Sequence, residues 1–357
     1  MRVLIATTWW PNEEQPGMAP FNVAHAKAIA RNNDVHVVRL QRVVAPRTDV
    51  TDPSGLPLTT VSVNPRDPFA TARGLNDLRK LARDADVVHT MAYDALTVLA
   101  PLAPLIGKRW VHTEHWSMFV KDGGAGVPFR VKKSLKLPRK VSTVSTALRE
   151  AIEAYTRDDD ITVIPNVIGD YFEVAEQPAW EPLKLVAVGF LIERKRPLLA
   201  VETVAELVRG GQDVTLTWVG DGPMRAQVLA RAEELGVADR VSLIGSVPAA
   251  EVADHVRAAN VFFLPTEAET FLVAAAEAIA VGRPVVLPQL PCLDYIGEDN
   301  GVMAPGATPE AFAAAILDVA KTFRDRSAQS VRATVIPRFA EASVGEQFDR
   351  FYAALRK

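Results

Sequence analysis

Short apolar runs alternate with amphipathic segments along the first half of the chain. Residues 3–6 and 35–40 are continuous apolar runs, and residues 21–31 between them carry alanine and isoleucine at helical spacing. A leucine-spaced segment at 75–83 precedes another apolar run at 86–89. Further runs that predict strands lie at 108–113, 140–144 and 161–164. Strands that are buried on both faces and alternate with helices favour a mostly parallel, doubly wound sheet.

A polar, proline-bearing segment at 173–182 interrupts this alternation and is typical of a linker. Apolar runs and helical patterns then alternate again as far as residue 287. We therefore predict an α/β protein of two doubly wound, Rossmann-like domains, residues 1–172 and 183–340. Ligands of such sheets bind beyond the carboxyl ends of the strands, so two facing domains would place the working site in the cleft between them.

Length and composition agree with two domains of ordinary size. The chain has 357 residues, which is more than one compact core usually organises. With 48% hydrophobic residues, 23% charged residues and a net charge of -3, it is neither disordered in composition nor basic enough to indicate nucleic-acid binding. Its one cysteine, Cys292, excludes an internal disulfide. Because no apolar run reaches the length of a membrane span and no cleavable leader is recognisable, we expect a cytoplasmic protein.

The predicted strand-to-helix turns lack the phosphate-binding motifs of other doubly wound enzymes. The first glycine is Gly17, so the G-x-G-x-x-G turn of nicotinamide and flavin enzymes is missing after the first strand. Gly107 and Lys108 lack the upstream glycine of a Walker A loop. His112 and His115 point to opposite faces of an extended strand and no third ligand follows, so we expect no metal site.

Two glutamates follow the end of the predicted strand at 261–264. Glu269 lies in the turn after it, and Glu277 lies in an alanine-rich helix. If the span between them were helical, the two backbone positions would be about 12 Å apart. Paired carboxylates of glycosidases lie roughly 5 to 9.5 Å apart, so this spacing better suits two carboxylates that hold different parts of one extended ligand. The charge of Glu277 needs a partner in its apolar surroundings.

In this order and spacing, the motifs of the chain resemble the group 1 glycosyltransferases, which are retaining, sugar-nucleotide-dependent enzymes of the GT-B fold. The acidic pair and the Pro-Val-Val strand after it resemble the family's E-x(7)-E signature. Further matches are the D-V-V-H run at 86–89, the T-E-H-W run at 113–116, the I-P-N-V run at 164–167, the G-D-G-P turn at 220–223 and the run at 301–310. The resemblance implies a nucleoside diphosphate sugar as donor, no separate cofactor and no metal.

The resemblance also implies roles for individual residues. Lys195 would contact the donor diphosphate, Glu269 would hold hydroxyls of the donor sugar, and His115 would approach that sugar near the reacting centre. Glu277 would bind the ribose hydroxyls of the nucleotide. The other substrate-binding residues that it implies are Gly17, Arg194, Gly220, Thr270, Phe271 and Leu272. Residues 341–357 would form a terminal helix that crosses back to the N-terminal domain.

The chain departs from the family pattern at two positions of the expected donor site. Phe190 stands where the family has an arginine on the diphosphate, and Leu272 stands where it has a glycine. Two alternatives therefore stay open, a sugar-nucleotide epimerase of the same fold and a non-catalytic homologue that binds sugar nucleotides. The acceptor is a carbohydrate, a lipid or a small-molecule hydroxyl, and the sequence names neither the base nor the sugar of the donor.

Basic residues without an intervening acid run from residue 127 to residue 140. They are Arg130, Lys132, Lys133, Lys136, Arg139 and Lys140. A charge run is most often a solvated face. Because Phe129 and Leu137 interleave with these cations, the segment also fits contact with anionic lipid or an anionic acceptor. A peripheral association with the inner face of the membrane is the sharper of the two interpretations.

Overall fold

The computed structural model describes residues 1–12, 18–64 and 66–356. The chain divides into two compact units, which we call unit 1 (Met1–Val167 with Arg338–Lys357) and unit 2 (Ile168–Pro337). Gly17, one of the substrate-binding residues that the resemblance implies, lies outside the described residues.

Each unit is built on one sheet. The strands of the described ranges are β1 (Arg2–Thr7), β2 (Asp34–Gln41), β3 (Thr48–Thr51), β4 (Pro57–Ser62), β5 (Val87–Met91), β6 (Trp110–Glu114), β7 (Lys140–Thr143), β8 (Thr162–Val163), β9 (Leu183–Val188), β10 (Val214–Val219), β11 (Val241–Gly245), β12 (Val261–Phe263), β13 (Val285–Pro288) and β14 (Gly301–Ala304). The strand order is β3-β4-β2-β1-β5-β6-β7-β8 in unit 1 and β11-β10-β9-β12-β13-β14 in unit 2. Strand β3 pairs antiparallel with β4, and the other strand pairs are parallel. The predicted fold class, two doubly wound α/β sheets, is confirmed.

Helices connect the parallel strands. They are α1 (Pro20–Ala30), α2 (Pro68–Arg83), α3 (Tyr93–Leu99), α4 (Ala103–Ile106), α5 (Phe129–Ser134), α6 (Thr146–Ile152), α7 (Pro197–Arg209), α8 (Arg225–Glu234), α9 (Ala249–Arg257), α10 (Val273–Val281), α11 (Pro309–Phe323), α12 (Ala328–Ala333), α13 (Ile336–Phe339) and α14 (Glu341–Ala353). Within the described ranges, none of these helices is long and apolar enough to cross a lipid bilayer.

Helix α14 completes the core of unit 1. Phe348 and Tyr352 are fully buried in it, together with residues of β1, β2 and α1. The hydroxyl of Tyr352 lies 2.7 Å from Nδ1 of His89 on β5. Gly345 allows α14 to approach α1 closely, since a Cβ at this position would lie 2.5 Å from the carbonyl oxygen of Ala28. The last helix therefore belongs to the packing of the first sheet.

A buried arginine fixes the entry of the chain into unit 2. The guanidinium of Arg283 donates hydrogen bonds to the carbonyl oxygens of Ala175, Glu176 and Arg257, at 2.7 to 2.9 Å. The side chain of Arg332 likewise donates to the carbonyl of Phe172 at 2.9 Å. Three of these four bonds satisfy carbonyl oxygens of residues 172–176, which lie outside the helices and strands. They hold residues 172–176 against unit 2.

Strained backbone is concentrated in the turns that lead from strands into helices. The non-glycine residues with positive φ among the described residues are Ala19, Ala92, Arg196 and Leu272, and they precede α1, α3, α7 and α10. Each such conformation costs on the order of 1–3 kcal/mol and persists only where the surroundings impose it. These turns lie at the sheet edges where doubly wound proteins bind their ligands.

We expect Ala92→Gly to raise the free energy of unfolding by about 1 kcal/mol. Ala92 has φ 65° and ψ 154°, a region open almost only to glycine, so the substitution relieves more strain than it adds in chain entropy. Urea denaturation followed by circular dichroism measures the change. The matched control is Ala95→Gly, at a buried helical position, which should lower stability by about 1 kcal/mol. Equal losses in both variants would show that Ala92 is not strained.

Candidate active site

Three charged side chains meet beyond the carboxyl ends of β9 and β12, which are neighbours in the sheet of unit 2. Lys195 ends a short turn after β9, and Glu269 lies in the turn between β12 and α10. The Lys195 ammonium donates to Oε1 of Glu269 at 2.6 Å, and the Arg194 guanidinium lies 3.1 Å from the same oxygen. The hydroxyl of Thr266 donates to it as well, at 2.7 Å. Two of the predicted cations thus converge on a predicted carboxylate.

This cluster carries net positive charge. Burial alone would raise the pKa of Glu269, but the attraction of Lys195 and Arg194 and the hydrogen bonds that it accepts hold the pKa below its usual value. Glu269 is therefore ionised at neutral pH. Two cations and one carboxylate leave an excess of one positive charge, and Lys195 has only about a tenth of its side chain exposed. A partly buried positive excess at a sheet edge favours an anionic ligand.

Two glycines shape the loop that carries Lys195. A Cβ on Gly220, whose φ is +133°, would lie 2.1 Å from the carbonyl oxygen of Gly189, so β9 and β10 end with their backbones in contact. A Cβ on Gly189 would lie 3.3 Å from Cε of Lys195. The indole N–H of Trp218 donates to the Gly189 carbonyl at 2.8 Å. Position 220 therefore requires glycine for this close approach, and the predicted contact of Gly220 with the substrate stays a prediction.

The turn before α10 is held by a tyrosine that the sequence analysis did not single out. The hydroxyl of Tyr295 lies 2.9 Å from each of the carbonyl oxygens of Phe271 and Leu272, and its ring stacks on Phe271 with centroids 5.2 Å apart. Leu272 has φ 64°, the conformation for which the family pattern has a glycine. Thr270 precedes these residues in the same turn. Tyr295 therefore fixes the backbone between Glu269 and the start of α10.

Glu277 lies within α10 and differs from Glu269 in its electrostatic state. Burial raises the pKa of Glu277 to about 8, and no hydrogen bond or charge from elsewhere in the described chain opposes that effect. A carboxyl group in this position either holds a proton or needs a ligand that donates hydrogen bonds to it. The sequence prediction that this glutamate needs a partner is consistent with its environment.

Two other positions of unit 2 bear on the chemistry of this edge. The ring of Phe190 is 66% exposed in the loop after β9, so it adds no charge where the family has arginine. Burial, with the nearby carboxylate of Glu269, raises the pKa of Cys292 to about 12. The thiol is therefore protonated and is no candidate nucleophile.

His115 lies in unit 1, directly after β6. Its ring is buried, and its centroid lies 4.7 Å from the ring centroid of Phe21 and 5.3 Å from that of His25. Burial and the neighbouring histidines lower the pKa of His115 well below its ordinary value, so the imidazole is neutral at pH 7. Oε1 of Glu114 accepts hydrogen bonds from the backbone N–H groups of His115 and Trp116, both at 2.9 Å. Over the described ranges, no group of three or more histidine, cysteine, aspartate or glutamate side chains is arranged to hold a metal ion.

Sequence reasoning also missed an aromatic cluster at the carboxyl edge of the unit 1 sheet. Tyr93 stacks on Trp116 with ring centroids 3.9 Å apart, and Trp9 meets Tyr93 edge-on at 6.0 Å. The three rings follow β5, β6 and β1, which are neighbours in the sheet. Each residue is isolated in the sequence, so only the strand order brings them together.

Family models match both halves of the chain. Residues 17–169 match the model described as Glycosyltransferase Family 4, and residues 182–322 match the model described as Glycosyl transferases group 1. The chain is also similar to a 2-deoxystreptamine glucosyltransferase of Streptomyces kanamyceticus, with 38% identity over 98 residues, 28% of this chain and 25% of that protein. The chain spans 25 to 36% of the length of three of the curated relatives that it matches, this one among them. These matches support a glycosyltransferase.

Solved structures of the GT-B fold resemble the chain over its whole length. Sucrose-phosphate synthase from Thermosynechococcus elongatus has a TM-score of 0.79 at 18% identity, covering 100% of this chain and 99% of that chain. HepE from Anabaena, in complex with UDP-glucose, has a TM-score of 0.76 at 16% identity, covering 99% of this chain and 100% of that chain. At this level of identity the likeness establishes the fold, which agrees with the two sheets described above.

Proposed function

We propose that the chain is a retaining glycosyltransferase that moves a sugar from a nucleoside diphosphate donor to a hydroxyl group, without a metal ion. The observation that supports the proposal is the cluster of Arg194, Lys195 and Glu269 at the carboxyl edge of unit 2. The helix next to it holds the carboxyl group of Glu277, which has no hydrogen-bond or ionic partner among the described residues. The family models that match both halves support the transferase class.

The charges of unit 2 suit the departure of a nucleoside diphosphate. Negative charge develops on the diphosphate as the bond to the sugar breaks, and preorganised positive groups stabilise that charge most effectively where water is scarce. Lys195 and Arg194 supply the cations. The N-terminal amides of α10, whose first residue follows the strained Leu272, supply a second source of positive potential. Glu269 keeps both cations in place and is itself available to sugar hydroxyls.

The transfer keeps its atoms and charges balanced without a cofactor. The bond between the anomeric carbon and the diphosphate oxygen breaks, and the acceptor oxygen forms a new bond on the same face of the sugar. The acceptor's proton passes to an oxygen of the departing diphosphate. Because attack and departure share one face, the configuration at the anomeric carbon is retained. Glu277, by accepting hydrogen bonds from the ribose, anchors the nucleotide through this step.

Incubation of the pure protein with UDP-, GDP- and ADP-sugars, followed by mass spectrometry, tests the proposal. A transferase releases nucleotide slowly by transfer to water even when the acceptor is absent. An isomerised sugar nucleotide would instead identify an epimerase. Binding without turnover would identify the non-catalytic alternative, which Phe190 and Leu272 motivate. No binding of any of these donors would overturn all three assignments.

We propose in addition that unit 1 contacts anionic lipid through the exposed cations around α5. Arg130, Lys133 and Lys136 are exposed, and the ring of Phe129 beside them is 78% exposed. Lys140 must be removed from the predicted patch, because its ammonium is 2.9 Å from a carboxylate oxygen of Asp158 on the same unit. Lys132 is partly committed as well, since it lies over the ring of Tyr155. The surface that remains combines positive charge, which no ion pair within the described part of the chain neutralises, with an exposed aromatic ring.

The triple change of Arg130, Lys133 and Lys136 to serine is expected to abolish vesicle binding. Each basic residue near an anionic surface contributes about 1 kcal/mol, so the loss of three should reduce partitioning roughly a hundredfold. Co-sedimentation with phosphatidylserine vesicles at low salt measures it, and wild-type binding should fade as salt is added. Changing Arg79, Lys80 and Arg83 to serine is the control, because it removes the same charge elsewhere on unit 1. The proposal is contradicted if the wild-type protein does not bind anionic vesicles at low salt.

A further inference from the structure

We propose that Tyr295 is a positioning residue for cleavage of the donor, because its hydroxyl group holds Leu272 in the left-handed conformation that precedes α10. This inference rests on the proposed function and adds to it a residue that acts through the protein backbone. Tyr295 supports the turn between β12 and α10, which carries Glu269 and leads into the first amides of the helix. Negative charge that develops on the departing diphosphate is stabilised best by groups that are already in place, so the geometry of this turn affects the rate of cleavage.

Leu272 adopts a conformation that leucine seldom takes. Its φ is 64° and its ψ is 69°, in the left-handed region where a Cβ crowds the following carbonyl oxygen. Glycine has no Cβ and takes this conformation freely, whereas leucine must be held in it by its surroundings. The side chain of Leu272 is buried within unit 2. The conformation is therefore imposed by the packing of this side chain, by hydrogen bonds to the adjacent peptide groups, or by both.

The hydroxyl of Tyr295 reaches both peptide groups that flank the α-carbon of Leu272. Its oxygen lies 2.9 Å from the carbonyl oxygen of Phe271 and 2.9 Å from that of Leu272. Carbonyl oxygens only accept, so the one hydroxyl hydrogen is shared between them. Because the two oxygens belong to the peptide groups on either side of Leu272, a large change in its φ or ψ would separate them and break this arrangement.

Tyr295 is itself fixed in place and keeps its proton. Its carbonyl accepts a hydrogen bond from Nδ2 of Asn300 at 2.8 Å, and its ring stacks on Phe271. Burial, with the nearby Cys292 and Glu269, raises the pKa of Tyr295 well above its ordinary value. The hydroxyl is therefore a hydrogen-bond donor throughout the neutral range.

The turn that carries Glu269 is held at both ends by different parts of unit 2. On the β12 side, the N–H of Glu267 donates to the carbonyl of Arg194 at 2.7 Å. On the α10 side, the carbonyl of Leu272 accepts from the N–H of Ala275 at 3.1 Å, so its orientation sets that of the first helical turn. Loss of the tyrosine hydroxyl would release the α10 side and leave the β12 side in place. The carboxylate and the helix amides would then lose their common alignment.

Donor hydrolysis by Tyr295→Phe, measured in the Leu272, Leu272→Ala and Leu272→Gly backgrounds, tests the inference. Each Tyr295→Phe protein is compared with its own Tyr295 parent, so that the packing lost at residue 272 cancels. We expect removal of the hydroxyl to lower kcat/KM by about tenfold or more where residue 272 is leucine or alanine, since alanine carries the same Cβ. Where residue 272 is glycine, the loss should be about threefold or less.

Tyr352→Phe is the matched control, because it removes another buried tyrosine hydroxyl, from the core of unit 1. It should leave kcat/KM unchanged. Circular dichroism gives the folded fraction of each variant, so that rates are expressed per folded molecule. If the glycine background does not fold, Leu272→Asn replaces it, since asparagine tolerates the left-handed region and keeps a side chain of similar size.

The outcomes separate this inference from the proposed function. If the wild type hydrolyses a donor but the loss caused by Tyr295→Phe is the same in all backgrounds, or is absent with leucine, the positioning role is overturned and the proposed function stands. If the wild type releases nucleotide from none of the donors, the proposed function is overturned and the positioning role with it.

Discussion

Replacing Glu277 with glutamine should stabilise the protein above neutral pH and weaken nucleotide binding at the same time. The pKa of Glu277 is about 8 in the folded chain and near 4.5 in an unfolded one. Because the fold favours the protonated form, stability is fully present below pH 4.5 and is lost as the pH rises towards 8. Glutamine resembles the protonated group, so the variant escapes this loss.

The gain in unfolding free energy should be below about 1 kcal/mol at pH 5 and on the order of 2–4 kcal/mol at pH 9, allowing for partial exposure of the side chain. Thermal denaturation across this range measures it, with Glu233→Gln, on the exposed face of α8, as the control for charge alone. If the unfolding free energies of the wild type and the Glu277 variant change in parallel between pH 5 and pH 9, burial does not destabilise the ionised form of Glu277.

Nucleotide binding should respond in the opposite sense. If ribose hydroxyls donate to the carboxylate, binding favours the ionised form of Glu277 and releases a proton between pH 7 and pH 8. Calorimetric titration with UDP, GDP and ADP in two buffers of different ionisation enthalpy detects that proton. The glutamine variant should bind the nucleotide more weakly and release none. Equal proton release by both proteins would remove Glu277 from the nucleotide site.

Lys195→Ala is expected to lower nucleotide release from the donor by on the order of 10²–10³-fold, the usual cost of deleting one group that stabilises developing negative charge. The variant also leaves Glu269 with Arg194 as its remaining cation. Folding must therefore be checked by circular dichroism, and Lys195→Met, which keeps the apolar stem, separates packing from charge.

The control for Lys195 is Lys184→Ala, since Lys184 lies on the same strand, β9, away from its carboxyl end. It should leave turnover unchanged. A folded Lys195→Ala or Lys195→Met protein that releases nucleotide within threefold of the wild-type rate would exclude a role in charge stabilisation.

Elements with strong apolar patterns were predictable from the sequence, and short exposed ones were not. The spacing of residues 197–209 predicts a helix, and α7 spans Pro197–Arg209. Strand β3 has all four residues exposed, so it carries no apolar alternation, and it exists because its backbone pairs with β4. Strand β8, by contrast, lies within the apolar run at 161–164 that predicts a strand. Local sequence encodes burial, whereas pairing at a sheet edge depends on tertiary structure.

The sequence names candidate residues for the site, but it does not predict the contacts among them. Spacing alone predicts that Glu269 and Glu277 hold different parts of one ligand, and that assignment stays a prediction; the structure adds that their pKa values shift in opposite directions. The contact of Lys195 with Glu269 joins residues 74 positions apart and arises because β12 lies beside β9 in the sheet. Tyr295, which supports the same turn, follows a segment that departs from the family pattern. The strand order of the sheet was needed to find both the contact of Lys195 with Glu269 and the support that Tyr295 gives to the turn.

The discontinuity of unit 1 bears on how the chain is made. Helix α14 fills the core of unit 1, yet the ribosome adds it only after the whole of Ile168–Pro337. Until then the nascent N-terminal sheet exposes the apolar face of α1 and the surroundings of His89 that Phe348 and Tyr352 later cover. Unit 2 is continuous and can close as soon as it emerges. The part of the protein that is synthesised first is therefore finished last, and it is the part that most needs chaperone protection during translation.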